Sequence, residues 1–304
     1  MMRICIAGRN HAAFVEECLA SVLAQRVELS VDWTDDASDT PEAAEIAHRM
    51  LRLSFSGRGL FREDARVRLG VLPYATSQCD EAGREYRGFH RVERRHERRG
   101  GLANLWHAIQ RAAEDDVCVL MGGDDWLEPG GLARVAKAYE DPETWLTYGS
   151  YQNARPRGRP REGPDPVPPC REWTGCDIRP YDFLWMPLTC RTWLAKKVLV
   201  EDLKIAGWWQ WSGGDVALNV PMVEMAGPAH ARFIPDVWYT RRLHADNDTA
   251  IDANLQYYCN WISYGRPRYS RLASREDAPV RTPHRVNYSL LFSPNQPAPR
   301  SVIL

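Results

Sequence analysis

The sequence predicts an α/β fold, a mainly parallel sheet flanked by helices, with a mixed lobe in the C-terminal half. Three observations carry this expectation. Apolar runs at residues 4–7, 29–34 and 117–121 alternate with stretches whose apolar residues recur at helical spacing, the pattern of βαβ units. Acidic pairs follow two of these runs, Asp35-Asp36 and Asp124-Asp125, so carboxylates stand at strand ends, where open α/β sheets bind ligands. The 304 residues suffice for one large α/β domain with an appended lobe, or for two domains.

The elements follow in order. Residues 4–7 read as a first strand. Residues 11–25 read as a helix, with Phe14, Cys18, Leu19, Val22 and Leu23 on one face. Residues 29–34 form the second strand. Thr40-Pro41 then supplies an N-cap and a proline at the first helical position, opening a helix that runs to about residue 53. Residues 54–88 are poorly periodic and rich in glycine and arginine, and read as an insertion. A short strand at 89–92 precedes a basic run, and Leu102, Leu105, Trp106 and Ile109 mark another amphipathic helix. The strand at 117–121, a helix after Pro129 and a strand at 145–148 complete the alternation. Residues 155–169, dense in arginine and proline, read as a linker. In the second half, residues 216–225 have a helical apolar pattern, and 233–234 and 237–239 read as strand pieces. The stretch from 265 to 300 is arginine- and proline-rich with weak periodicity.

Composition narrows the class. Apolar residues make up 44% and charged residues 26%, with a net charge of -1, so the chain is an ordinary globular protein and no polycation. No run approaches the roughly 20 apolar residues of a membrane span, and the N-terminus is too short and too soon polar for a signal peptide. Cys5, Cys18 and Cys118 lie in apolar stretches as reduced core residues. Cys170 and Cys176 lack a common zinc spacing. Reduced thiols without an export signal predict a cytoplasmic setting.

The acidic pairs suit a nucleotide and a divalent cation. Carboxylate oxygens are hard ligands for Mg²⁺ or Mn²⁺, and such a metal neutralises a diphosphate. Taken alone, Asp124-Asp125 before Trp126-Leu127-Glu128-Pro129 is equally a turn that starts a helix. Asp35-Asp36 is equally a capped turn before Thr40.

Several segments together carry a family resemblance. Asn10 with Cys18-Leu19-Ala20-Ser21-Val22-Leu23-Ala24-Gln25, Asp35-Asp36-Ala37-Ser38-Asp39, Gly101-Leu102-Ala103-Asn104, Gly123-Asp124-Asp125-Trp126-Leu127-Glu128-Pro129, Gly214-Asp215-Val216-Ala217-Leu218 and Pro221-Met222-Val223-Glu224-Met225-Ala226-Gly227 come in the order of a family 2 glycosyltransferase. The chain resembles such an enzyme, of GT-A (Rossmann-like) fold, over most of residues 3–248. The resemblance implies inverting sugar transfer from a nucleoside diphosphate sugar, with a uridine nucleotide favoured. It divides the chain into a nucleotide-sugar-binding half (1–150), an acceptor and base half of the same domain (151–264) and a basic tail (265–304). It assigns Asp215 as general base, Asp124, Asp125 and His244 as ligands of Mn²⁺ or Mg²⁺, and Asp35, Asp36, Asn104, Asp124, Arg241 and Arg242 as nucleotide-binding residues. Asp215 also suits a plain helix cap, and a lone histidine such as His244 is more often a surface or packing residue.

Two departures matter. The family has an aspartate where Gly122 stands, which reduces the metal motif to its later carboxylates. The Gln-x-x-Arg-Trp segment of processive synthases is absent, as are their membrane spans, which favours a single transfer. A sugar nucleotidyltransferase would carry a glycine-rich activating loop after strand one, and Ala7-Gly8-Arg9-Asn10-His11 is not one.

The acceptor is read from charge and aromatics. Arg91, Arg94, Arg95, Arg98 and Arg99 form one basic tract, diluted by Glu93 and Glu97, Arg155, Arg157, Arg159 and Arg161 a second, and Arg266, Arg268, Arg271, Arg275, Arg281 and Arg285 a third, expected to close over the same sheet edge. Such clustering suits a polyanion, as in phage enzymes that glycosylate hydroxymethylated pyrimidines in DNA. Solvated loops are the ordinary alternative. Trp208, Trp209 and Trp211 then stack on an extruded base, stack on an acceptor sugar, or pack the lobe. The acceptor classes are thus DNA, a glycan or a protein hydroxyl. A reading of another class is a non-catalytic nucleic-acid-binding protein on a degenerate transferase fold.

Overall fold

The computed structural model describes residues 1–53, 72–79, 85–154, 172–173, 178–179 and 187–283. Strand β1 (Met2–Gly8) is almost wholly buried and β2 (Leu29–Asp35) is buried at every position. Burial at nearly every position belongs to strands covered on both faces. β1 pairs in parallel with β2 and with β5 (Val117–Gly122). Helix α1 (Val15–Leu23) is shorter than its periodicity suggested, because the His11 carbonyl accepts from the Phe14 and Val15 N–H groups and makes residues 11–14 a turn. Helix α2 (Glu42–Leu53) ends where expected.

The predicted insertion at 54–88 is corrected in part. It contains β3 (Leu72–Cys79) and the start of β4 (Glu85–Arg94), an antiparallel pair that extends the sheet beyond β2. An edge hairpin needs no continuous apolar pattern, so its mixed composition concealed it. Helix α3 (Gly101–Arg111) returns the chain to β5 on the other side of β1. The order β4-β2-β1-β5 therefore reverses between β1 and β5, the crevice where such sheets take ligands.

The remaining elements are β6 (Trp126–Leu127), α4 (Gly131–Ala138), β7 (Leu146–Ala154), β8 (Leu188–Arg191), α5 (Thr192–Lys196), β9 (Lys204–Ile205), β10 (Trp208–Trp209), α6 (Gly214–Ala226), β11 (Ala231–Arg242), α7 (Asp248–Ile251), α8 (Ala253–Gly265), β12 (Arg268–Tyr269) and β13 (Arg281–Thr282). The described residues form a nine-stranded sheet ordered β3-β4-β2-β1-β5-β8-β7-β11-β6. Strands β1, β2, β4, β5, β7 and β11 run one way, and β3, β8 and β6 the other. The sheet is thus mainly parallel, as expected. The two strand pieces expected at 233–239 are one strand, β11, with register shifts around Pro235.

Connectivity forces the sheet to curl. Only residues 123–125 separate β5 from β6, yet the two strands stand four positions apart in the sheet. Four Cα steps reach roughly 15 Å, whereas four strand spacings in a flat sheet need roughly 19 Å. Curling brings the end of β11 back to the end of β5. Apolar layers cover both faces. Residues of α1, α2 and α4 pack around Ile4, Ile6, Val31 and Trp33. Residues of α3, α5 and α6 pack around Cys5, Cys118 and Leu146.

The tail is corrected too. Arg266 and Arg281 pair with Asp202, and Arg275 pairs with Glu114 and Asp115 just before β5, at the sheet edge opposite the acidic pairs. These arginines do not close over the acidic edge. Arg155, Arg157, Arg159, Arg161, Cys170, Cys176 and Arg285 lie outside the described residues. Among the described residues, no helix is long and apolar enough to cross a membrane.

Candidate active site at the carboxyl edge of the sheet

Strands β1, β2, β4, β5 and β11 end at Gly8, Asp35, Arg94, Gly122 and Arg242. Backbones crowd where β1 and β5 end. A Cβ at Gly123 would stand 3.4 Å from the Gly8 Cα and 2.9 Å from the Trp33 ring, so glycine is required there. His11 lies against both glycines.

Asp124 follows directly. Its Oδ2 accepts from His244 Nε2 at 2.8 Å and from Asn247 Nδ2 at 3.1 Å, and lies 4.0 Å from His11 Nε2. Ligand atoms of His11, Asp124 and His244 all lie within 4.8 Å of one another. Burial opposes the Asp124 charge, but the His244 hydrogen bond and the His11 charge hold its carboxyl below the ordinary range. The same hydrogen bond raises His244, while burial lowers His11. His11 Nδ1 is buried without a hydrogen-bond partner among the described residues. One carboxylate and two imidazoles suit a divalent cation with mixed oxygen and nitrogen ligands.

The structure thus joins Asp124 to His244 as expected and adds His11, which sequence reasoning missed. The signal was its place in the loop after β1, on the edge that carries the acidic pairs. Asp125, expected as a further ligand, is committed elsewhere. Its Oδ1 accepts the Arg242 N–H at 2.8 Å and its Oδ2 accepts the Tyr239 hydroxyl. Burial and the Asp124 charge push it up to about 7. Arg242, expected on the nucleotide, is buried between the Phe14 and Trp126 rings, 4.7 and 4.6 Å from their centroids. It donates to the Asp124 carbonyl and pairs with Glu17, so it fastens β11 to α1 and the Asp124 loop. Arg241 differs: it is half-buried, and its charge acts on Asp125 and Asp215.

The residues expected to hold the nucleotide form the neighbouring lip. Asp36 accepts the Arg99 and Gly100 N–H groups, each at 2.8 Å. Its carboxylate pins the turn before α3, where Gly100 has φ +89°. Asp35 Oδ1 accepts the Ser38 N–H at 3.0 Å and its hydroxyl, and Asp35 Oδ2 lies 3.5 Å from Arg94. Arg95 is bound to Glu93 at 2.6 Å and to Asn104 at 3.2 Å. Asn104 is buried, and its Nδ2 has no partner among the described residues.

Asp215 stands in the first turn of α6, and its Oδ1 accepts the Val216 N–H at 2.9 Å. The residue is exposed to solvent, and desolvation by its surroundings raises its carboxyl. Gln210 fixes the preceding turn: buried, it donates to the Ser212 and Gly213 carbonyls at 2.9 Å and accepts from Ser263 at 3.1 Å. Asp248, unnoticed in the sequence, is exposed and interacts electrostatically with Asp215, Asp124, Arg98 and His11. The three tryptophans separate. Trp211 lies under Arg98, whose guanidinium is 4.8 Å from the ring centre. Trp209 packs near His107 and Lys204, and Trp208 is exposed on the β9–β10 hairpin.

No family model matches the chain. The uncharacterized protein MT1568 of Mycobacterium tuberculosis (strain CDC 1551 / Oshkosh) is 29% identical over 149 residues, covering 49% of this chain and 35% of that protein. The chain therefore spans about a third of this relative. Among solved structures, S. aureus TarS 1-349 with UDP is similar at TM-score 0.54 and 13% identity, over 86% of this chain and 64% of that one. TarS 1-349 with UDP-GlcNAc gives 0.53 and 14%, over 85% and 64%. The mannosyltransferase PcManGT of Pyrobaculum calidifontis, with GDP-Man and Mn2+, gives 0.50 and 15%, over 84% and 60%. These neighbours are GT-A-like glycosyltransferases, and the fold of this chain is of that class.

Proposed function

We propose that this chain is an inverting, family 2-like glycosyltransferase that moves a sugar from a nucleoside diphosphate sugar, a UDP-sugar first, to an acceptor hydroxyl. One observation carries the reading: Asp124, His244 and His11 converge at the reversal point of the sheet. Arg241 and Asp215 stand in the same electrostatic neighbourhood. Asp124, His244 and His11 would hold a divalent cation, manganese before magnesium given two imidazoles, which would neutralise charge on the departing diphosphate. Arg241 adds positive charge beside it. Asp215 takes the acceptor proton as that oxygen attacks the anomeric carbon from the face opposite the diphosphate, which leaves with the bonding pair. The buried free thiols of Cys5, Cys18, Cys118, Cys190 and Cys259 accord with a cytoplasmic setting.

DNA is the less favoured acceptor. Of the tract proposed for phosphates, Arg94 and Arg95 are bound within the protein, and Arg98 and Arg99 are exposed. A glycan or protein hydroxyl is the stronger candidate. The test is a thermal-shift panel of UDP, UDP-GlcNAc, GDP and GDP-mannose with and without Mn²⁺, since a ligand of the folded state raises its melting temperature. UDP compounds should shift it most, and more with the metal. No shift with any of them would remove the transferase reading.

A further inference from the structure

We infer that Trp211 and Arg98 seat the acceptor, and that this acceptor is a sugar ring carrying a negative charge. The inference rests on the transferase reading above, with Asp215 as the base.

Trp211 is 45% exposed, yet it is held in place. Its ring lies against Gly100, where a Cβ would meet it at 3.5 Å, and under Arg98 at 4.8 Å. The turn carrying both residues is pinned by the Asp36 carboxylate through the Arg99 and Gly100 N–H groups. Gln210 fixes the carbonyls of Ser212 and Gly213 between Trp211 and Asp215. A rigid, exposed indole four residues from the base is a preformed platform, and rigidity lowers the entropy that binding must offset. The negative face of an aromatic ring attracts the partly positive C–H groups of a sugar, as it attracts cations.

Arg98 sets the charge of the ligand. It makes no hydrogen bond or ion pair among the described residues, and its side chain is exposed. Held over the ring without a hydrogen bond or ion pair among the described residues, the guanidinium keeps its N–H donors for a carboxylate or phosphate. Arg99 beside it is also exposed. The Arg98 charge acts on Asp248, and the Asp248 charge on Asp215, so all three line one region. The anionic group belongs at the Arg98 end and the reacting hydroxyl at the Asp215 end.

The test measures transfer to methyl glucoside, its glucuronide and its 6-phosphate, alongside the UDP–Mn²⁺ thermal shift. The charged probes should be preferred by about tenfold or more in kcat/KM, the scale of one charge-assisted contact. Trp211→Ala should raise KM for all three by about tenfold, and Trp211→Phe should hold it within about threefold, with the thermal shift retained in both. Arg98→Gln should erase the preference for charge. Preference for the neutral probe, an unchanged preference in Arg98→Gln, an unchanged KM in Trp211→Ala, or no transfer to any probe while UDP still binds would each overturn the inference. Loss of the thermal shift in the unaltered protein would instead overturn the transferase reading. The glucuronide and 6-phosphate arms separate a carboxylate from a phosphate ligand.

Discussion

Asp124 Oδ2 and His244 Nε2 lie 2.8 Å apart although 120 residues separate them in the chain. Asn247 reinforces the link: its Nδ2 donates to the same carboxylate oxygen, and its Oδ1 accepts the His244 N–H at 2.7 Å. The candidate metal group therefore joins the end of β5 to the end of β11.

Asp124→Ala should abolish sugar transfer and the manganese-dependent part of nucleotide binding while the fold survives. His11→Ala should weaken manganese binding, read by calorimetry, by at least about tenfold, because removing partners that orient or ligate a metal costs roughly 10- to 100-fold. Near-normal turnover in Asp124→Ala would dismiss the metal assignment, and unchanged affinity in His11→Ala would dismiss the third ligand.

Manganese affinity should rise with pH. His244 is raised by its bond to Asp124, and a histidine must lose its proton to bind a metal. Stability should move the other way. The His244 contribution is complete below its ordinary value of 6.5 and fades as pH rises through the raised one. The Asp124 contribution is present above 3.8 and fades as pH falls through its lowered value. Metal-free protein should thus lose this stabilisation on both sides of a mildly acidic range. Identical melting curves for the unaltered protein and His244→Gln from pH 5 to pH 9, compared after a constant offset, would exclude it.

Asp125 gives a separate pH signature. Its carboxyl rises from 3.8 to about 7, so its contribution is complete below 3.8 and is lost as pH climbs through about 7. Asp125→Asn should gain stability relative to the unaltered protein across that interval. A pH-independent difference in denaturation midpoint would argue against this.

Asp215→Asn should bind UDP and manganese normally but lose about 100- to 10,000-fold in kcat, the range of general-base catalysis. Lost nucleotide binding in this variant would point to a helix cap alone.

Gly122→Asp, which restores the residue of the family pattern, should not restore a stronger metal site. A Cβ at 122 would lie 2.5 Å from Asp124 Oδ1 and 3.1 Å from Asp125 Oδ2. Crowding of this kind typically costs about 1–3 kcal/mol. Unchanged stability together with tighter manganese binding would refute this account.

The strands that the sequence revealed are those buried on both faces. β1 and β5 are apolar runs, β2 alternates apolar and polar residues that are all buried, and the ends of β2 and β5 carry the acidic pairs. β8, four residues that lead directly into α5, offers no periodicity to detect, β3 is an edge strand of mixed composition, and of β4 beside it only residues 89–92 stood out. At the site, the pairing of Asp124 with His244 was legible because both lie in family-like segments. The commitments of Asp36, Asp125 and Arg242 were not, since identical residue types serve ligand and scaffold. Only the placement of backbone N–H groups, through Arg99, Gly100 and Arg242 itself, tells the two apart.

The curl between β5 and β6 makes the site a latch across the half of the sheet from β5 to β11. Asp124 follows the fifth strand in the order and His244 the strand beside the far edge. A chain ending before residue 231 keeps the Asp35–Asp36 lip and Asp124 but has no β11 to bring a histidine back to them. Such a fragment should bind manganese no better than an ordinary acidic turn, so metal affinity doubles as a gauge of whether the last parallel strand has docked.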